Sequence, residues 1–393
     1  MKNLTTIILL ALLIPFSKLG LACSMYKVSK NGTTIVGNNE DFTSPNSQFW
    51  FEAGTKSTFG VMYMGLLNNF AQGAINQSGL MFDGFWEPYL EVKNTDGKLI
   101  VPIADAVRDI MQTMTNVEDV RLYLQTINLN SMADGQLVFV DKSGTYLIVE
   151  GDEMYVGDES EKSFSNFYYS QIESLNDVEL EYFQKGQDFI NTTEEKSTLG
   201  YCSQAMQNFA QSRLAPTQYS TIYDLEKMTI RVYLFHDFSE FVELDLETEL
   251  ERGNHRTMIA DLFSKESIGY SHYKKYNDVE NPTLFLKEYL GDAEITEQEF
   301  LDYGFENIIN SLGYEWLDDM KKPKGAIKVF QYGVILMPNS ADLYDSLGEA
   351  YFINEEWDNA IMNYTNSLAL NPENKNATAM ISKINKLKEK QAN

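Results

Sequence analysis

Residues 23–42 read CSMYKVSKNGTTIVGNNEDF, and the fold follows from how this stretch bends. Two β-prone runs flank the dipeptide Asn31-Gly32. An Asn-Gly pair tolerates the positive φ angles that a two-residue hairpin loop requires, so the chain reverses there. Reversal returns Asp41 to the neighbourhood of Cys23. A carboxylate in that place can hold an ammonium group or orient the groups around it.

The residues before Cys23 explain why its position matters. Lys2 supplies a positive start, Ile7 to Phe16 is apolar, and Gly20-Leu21-Ala22 offers small residues where a signal peptidase inspects the chain. The apolar run is too short for a membrane anchor, and Lys18 interrupts its flank. Residues 1–22 therefore read as an export signal, and the mature protein is expected to be secreted or periplasmic with Cys23 at its head. Lipid attachment to Cys23 is the rival. Its recognition pattern wants a large aliphatic residue three positions before the cysteine, where Gly20 stands.

A cysteine becomes a nucleophile when something takes its proton. A chain-terminal cysteine carries its own base, an α-amine that titrates at about 7.7–8.0 in model compounds. Cys202 is the other cysteine of the chain. An exported protein that relies on disulfides usually carries more. A single bridge and a free functional thiol are thus the two readings, and the junction position favours the free thiol. A Cys202–His236 pair is a further enzyme reading, drawn from His236, His255 and His272, with no local spacing behind it. Metal catalysis lacks a His-x-x-x-His or Cys-x-x-Cys set, and no cofactor is expected.

The segment 23–42 resembles the opening of N-terminal-nucleophile amide hydrolases of the choloylglycine hydrolase, penicillin acylase, acid ceramidase and isopenicillin acyltransferase group. In these a Gly-x-Asn-x-Asp-aromatic motif closes the second strand, here Gly37 to Phe42. The resemblance implies a four-layer αββα sandwich of α+β class, with Cys23 as nucleophile and Asp41 orienting it. Ala74-Ile75-Asn76-Gln77-Ser78-Gly79-Leu80 looks like the family's Gly-x-Asn-x-x-Gly-Leu hairpin, with Ala74 for the first Gly, and implies Asn76 as an oxyanion donor. Leu137 to Glu150 is similar to its Asp-x-x-Gly strand pair, and Phe164-Ser165-Asn166-Phe167 supplies Asn166 as the second donor. Thr217 to Leu246 resembles the closing strand pair, with Arg213 just before it as the family arginine or as a solvated helix end. Asn38 stands where bile-salt-type members have Arg, which tilts the resemblance toward acyltransferase-like members. Trp50, Trp86 and the run Phe164 to Tyr169 suit an apolar acyl chain.

Elsewhere the pattern of elements agrees with α+β. Helices are expected at Ile103 to Met114 and Val117 to Ile127, the latter with Thr115 and Glu118 at capping-box spacing, and at Cys202 to Arg213. Strands are expected at Leu137 to Val140, Thr145 to Glu150, Tyr219 to Asp224, Thr229 to Phe235 and Phe241 to Leu246. Residues 23–246 form the expected sheet domain and 247–295 a helical connector. Residues 296–393 repeat: Ala326, Phe330 and Pro338 recur 34 residues later as Ala360, Tyr364 and Pro372, and Leu312-Gly313 recurs 35 later as Leu347-Gly348. This resembles the tetratricopeptide repeat, stacked on helices between Thr296 and Tyr314 and on a last helix from Asn376 to Lys390.

Net charge bounds the partners. At −26 over 393 residues, the chain lacks the basic surface that nucleic acid requires and is repelled by anionic membranes. The expected function is hydrolysis of a linear carbon–nitrogen amide in an N-acylated small molecule through a Cys23 thioester. The alternatives are acyl transfer on the same fold, and an exported binding protein whose helical repeats hold a protein or a second copy.

Overall fold

The computed structural model describes residues 23–193, 198–212, 215–290, 295–302 and 304–392. The expected export signal and Arg213 lie outside them. Strands β1 (Ser24–Lys30) and β2 (Thr33–Asp41) form the hairpin expected at Asn31-Gly32. Both turn residues have positive φ, 54° and 78°, and Lys30 pairs with Thr33 across a two-residue loop.

A meander follows: β3 (Ser47–Glu52), β4 (Val61–Leu66), β5 (Ala71–Asn76) and β6 (Met81–Trp86). The short parallel pair β7 (Leu99–Ile100) and β8 (Ile127–Asn128) brackets α1 (Ile103–Thr113) and α2 (Val117–Leu124). Next come β9 (Gly135–Val140), β10 (Tyr146–Glu150), β11 (Glu153–Gly157) and β12 (Glu161–Ser165), then helices α3 (Glu181–Thr192) and α4 (Leu199–Phe209). Strands β13 (Thr217–Asp224), β14 (Thr229–Leu234) and β15 (Val242–Asp245), helix α5 (Leu246–Glu251) and strand β16 (His255–Met258) complete the sheets.

The six-stranded sheet runs β12-β1-β2-β13-β14-β15, and the eight-stranded sheet runs β11-β10-β9-β6-β5-β4-β3-β16. Side chains alternate across a strand, so each sheet has two apolar faces to cover. Met25, Val36, Phe164 and Val232 of the first sheet meet Phe49, Met62, Ile75 and Val138 of the second. On the far side of the first sheet, Tyr26, Ile35 and Ile222 pack on Phe183, Met206 and Phe209 of α3 and α4. On the far side of the second, Tyr63, Ala74 and Phe82 pack on Val107, Ile110 and Val120 of α1 and α2. The result is four layers: helix, sheet, sheet, helix. Gly37 permits the contact of β2 with α4, because a Cβ there would lie 2.5 Å from Met206 Cγ.

Two local expectations are corrected. The α2 cap is Asn116, whose side chain accepts from the Asp119 amide. The Thr115–Glu118 box therefore sits one residue early. Residues 247–295 are not wholly a helical connector, since β16 pairs with β3 and forms the edge of the larger sheet. A four-residue strand whose partner lies some two hundred residues away leaves no periodic signal in the sequence.

Helices α6 (Ile268–Tyr276), α7 (Leu284–Leu290), α8 (Glu297–Asp302), α9 (Phe305–Tyr314), α10 (Pro323–Leu336), α11 (Ala341–Ile353), α12 (Trp357–Leu370) and α13 (Lys375–Ala392) build the C-terminal region. Helices α9 to α13 share one apolar core. The recurring positions do equivalent jobs there. Gly313 lies against the Phe330 ring and Gly348 against the Tyr364 ring, while Ala326 and Ala360 are fully buried. A π-helical turn, Glu315–Asp319, follows α9 and docks this core on the sheet domain. Glu315 Oε1 accepts from Ser44 Oγ and Asn46 Nδ2, each at 2.5 Å. Burial pushes the Glu315 carboxyl up to about 7.

The glycine contacts set an order of sensitivity. A Cβ at Gly313 would stand 2.3 Å from the Phe330 ring, against 3.0 Å from Tyr364 at Gly348. Overpacking of this kind costs about 1–3 kcal/mol, so Gly313→Ala is expected to lower urea-unfolding stability more than Gly348→Ala. The Glu315 site gives a pH signature. A carboxyl raised on folding contributes stability that is fully present below its unfolded value of about 4.5 and lost as pH rises through about 7. Replacing Glu315 by Gln is expected to flatten the Tm-against-pH curve between those values relative to wild type.

Candidate active site

Cys23 immediately precedes β1. Its neighbour Ser24 pairs with Asn39 of β2 on one side and Ser165 of β12 on the other. This register puts Cys23 where the end of β2 and the end of β12 converge. Its side chain belongs to the core between the two sheets and is 5% exposed. The thiol donates to Glu40 Oε2 at 3.3 Å and faces the Asp41 carbonyl at 3.9 Å. Ser165 Oγ donates to the Cys23 carbonyl at 2.7 Å and also lies 2.7 Å from the Tyr182 hydroxyl.

Asp41 returns beside Cys23 as the hairpin requires, and it is the Asp41 carbonyl that meets the sulfur. The carboxylate is taken by the Thr217 hydroxyl and by Gln211 Nε2, the latter at 2.6 Å. Burial raises this carboxyl well above its ordinary value, against the lowering effect of those two bonds.

Asn166 follows the Ser165 that pairs with Ser24, so it occupies the same corner. Its Nδ2 donates to the Trp86 carbonyl at 2.7 Å, and its buried Oδ1 has no partner among the described residues. A carboxamide nitrogen carries two hydrogens, and one is left for a ligand.

Asn76 does not join this group. Alternation along β5 puts Ile75 between the sheets and Ala74 toward the α1 layer, so Asn76 faces α1. Its Nδ2 donates to the Met111 and Met114 carbonyls at 2.9 Å, and its Oδ1 accepts from the Ser78 and Leu80 amides at 3.0 Å. The residue pins the β5–β6 turn to the end of α1, and no donor remains for an oxyanion. The reading of this Asn as an oxyanion donor is thereby corrected.

Cys202 and Cys23 are both free thiols. Cys202 lies in the core between α4 and the first sheet, where burial raises its thiol. His236 instead packs against Phe235 and His272, with ring centroids 4.7 and 5.6 Å away. The structure does not join Cys202 to His236.

Two acidic residues escaped the sequence reading. Glu40 follows Asn38 on the inner face of β2, and Asn38 Nδ2 donates to Glu40 Oε1 at 2.8 Å. Asp83 comes from β6 of the opposite sheet, near enough for the Glu40 charge to act on its carboxyl. Both residues are at most 1% exposed. Glu40 is pushed up to about 7 by burial, offset by bonds from Asn38 and Cys23. Asp83 is raised well above the carboxylate range by burial and then by Glu40. The Cys23 thiol is raised by burial and then by the charges of Glu40, Asp41 and Asp83. A signal for Asp83 existed: it interrupts Met81-Phe82-Asp83-Gly84-Phe85, an otherwise apolar strand.

Among the described residues, no group of three His, Cys, Asp or Glu side chains is arranged to hold a metal ion, and no helix is long and apolar enough to cross a membrane. No family model matches the chain, and no curated protein matches it. Solved structures similar to it include variants of a conjugated bile acid hydrolase from Clostridium perfringens, at 16% identity and a TM-score of 0.46, covering 60% of this chain and 96% of that one. Another is a penicillin V acylase from Agrobacterium tumefaciens, at 15% identity and a TM-score of 0.44, covering 58% of this chain and 88% of that one.

The geometry separates the two asparagines experimentally. Asn76→Ala strips partners from two buried carbonyls and two amides, and is expected to lower unfolding stability by about 2 kcal/mol with turnover per folded molecule unchanged. A loss of kcat without a loss of stability would return Asn76 to the reacting centre.

Proposed function

We propose that this chain is an exported N-terminal-nucleophile hydrolase that cleaves a linear amide of an N-acylated small molecule through a thioester on Cys23. One observation supports the reading above the others. The thiol of the residue that export processing would place first lies in a buried corner with Asp41 and Asn166 and donates to Glu40. The Cys23 sulfur attacks the amide carbonyl, and the remaining hydrogen of Asn166 Nδ2 meets the oxygen that becomes charged. The amine departs, and water then releases the acyl group from sulfur. Asp41 would orient the freed ammonium, with Arg213 as its proposed cationic partner. In an acyltransferase of this fold an acceptor other than water would take the thioester.

The C-terminal helices fit a tetratricopeptide-like array on the equivalence of the Gly313–Phe330 and Gly348–Tyr364 contacts. They also wall part of a cavity of about 300 Å³. Phe42 and Leu67 line it from the sheet domain, and Tyr314 and Asp318 from the helices. Phe42 adjoins the carbonyl that faces the Cys23 sulfur.

N-terminal sequencing of the mature protein is expected to begin at Cys23. Against a panel of N-acyl amino acids, penicillin V and acyl lactones, Cys23→Ala is expected to abolish acyl release, and Cys23→Ser to leave weak activity. Full activity in the alanine variant would end the proposal. Asn166→Ala is expected to lower kcat by about 10²–10³-fold with KM little changed, read from steady-state kinetics on whichever substrate turns over.

A further inference from the structure

We propose that the cavity between the end of β2 and the π-helical turn binds an organic ammonium ion, an apolar body carrying a charged nitrogen, with that nitrogen on the free oxygen of Glu315. The site lies past the end of β2 and is independent of the Cys23 chemistry.

The cavity wall is divided by chemistry. Phe42, Leu67 and Tyr314 supply an apolar part, and Glu315, Asp318 and Asp319 supply carboxyls. The Tyr314 hydroxyl is already engaged with Glu349 Oε2 at 3.0 Å, which leaves its ring to line the space. Aromatic faces attract an ammonium through the ring quadrupole, and an apolar body loses water against the same side chains. Among the described residues no Lys or Arg lines the wall. A volume of about 300 Å³ accepts a small organic molecule.

Glu315 carries the second observation. Both of its donors, Ser44 Oγ and Asn46 Nδ2, bind Oε1, and Oε2 meets no donor among the described residues. The dock of the helices on the sheet domain needs no charge here, because a carboxamide oxygen would accept the same two bonds. A carboxylate with one oxygen unused is costly to bury unless a cation joins it. An ammonium N–H on Oε2 completes the group.

The surroundings supply no cation of their own to Glu315. Ser44 and Asn46 reach it from the loop after β2, and Asn277 at the end of α6 holds Asn46 at 2.8 Å. Tyr273 of α6 feels the Glu315 charge, and burial raises its hydroxyl so that it stays neutral. Asp319, on the same turn as Glu315, raises the Glu315 carboxyl further after burial. Asp319 is itself raised by burial and then by Asp318, with Lys321 acting the other way on Asp319 alone. The three acids therefore repel one another across the cavity wall, and one bound cation relieves all three.

The test uses the purified full chain and phenethylammonium as probe, with phenylethanol and phenylacetate as neutral and anionic counterparts of similar shape. Above about pH 7, where Glu315 is ionised, phenethylammonium is expected to raise Tm, and its two counterparts to leave Tm in place. Below that pH its dissociation constant is expected to rise about tenfold per pH unit. Binding there is expected to release about one proton, read by calorimetry in buffers of different ionisation enthalpy. Glu315→Gln keeps an acceptor for Ser44 and Asn46 and is expected to lose both the response to the probe and its pH limb. Asp318→Asn is expected to weaken binding about 2–5-fold with the limb retained. If Glu315→Gln fails to fold, the proton release of the wild type decides. The assignment is overturned by an equal response to phenylethanol, by an unchanged response in Glu315→Gln, by binding below pH 7 without proton release, or by no response to phenethylammonium at all.

Discussion

The constraint on which the candidate site depends is burial between two apolar sheets. Glu40 and Asp83 meet there from opposite sides, each almost wholly buried. In water two carboxylates would stay ionised and apart. In this gap both carboxyls are raised, chiefly by burial, and the Cys23 thiol donates to Glu40. Burying charge is costly unless it is paired or neutralised. Burial of this kind pushes the Glu40 carboxyl up to about 7 and raises Asp83 well above the carboxylate range.

Strand alternation distributes the remaining roles. Along β2, Val36 faces the inter-sheet core, whereas Ile35 packs toward the α4 layer. Asn38 and Glu40 follow Val36. Gly37 and Asn39 follow Ile35, with Asn39 Nδ2 bonded to the Met206 carbonyl at 2.9 Å and its Oδ1 to Ser220 Oγ at 2.7 Å. One short motif thus serves two faces: an inner set in which Asn38 holds the Glu40 that meets the sulfur, and an outer set that locks the strand to its neighbours. Asp41, at the strand end, joins the two through its carbonyl and its carboxylate. The same rule turns Asn76 toward α1, where it holds a turn.

The helical region bears on the site through packing. Small residues let its helices close on aromatic rings, and the π-helical turn after α9 carries Glu315 onto Ser44 and Asn46. That dock lies just beyond Phe42, so the helices and the end of β2 share the wall of one cavity. Burial of Glu315 makes the dock acid-favoured, the same desolvation that governs Glu40.

The sequence by itself determined the hairpin at Asn31-Gly32, the return of Asp41 to Cys23, helices α1, α2 and α4, strands β9, β10 and β13 to β15, and the 34-residue recurrence. These rest on local rules: turn residues, short-period apolar patterns and repetition. The tertiary structure alone decided that Asp83 comes near Glu40, that β16 closes the larger sheet, that Asn76 is committed to α1, and that Cys202 and His236 stay apart. Each of those depends on which face of which strand meets a distant segment. Facing across layers is fixed by packing and desolvation, and neither leaves a mark at any fixed spacing along the chain.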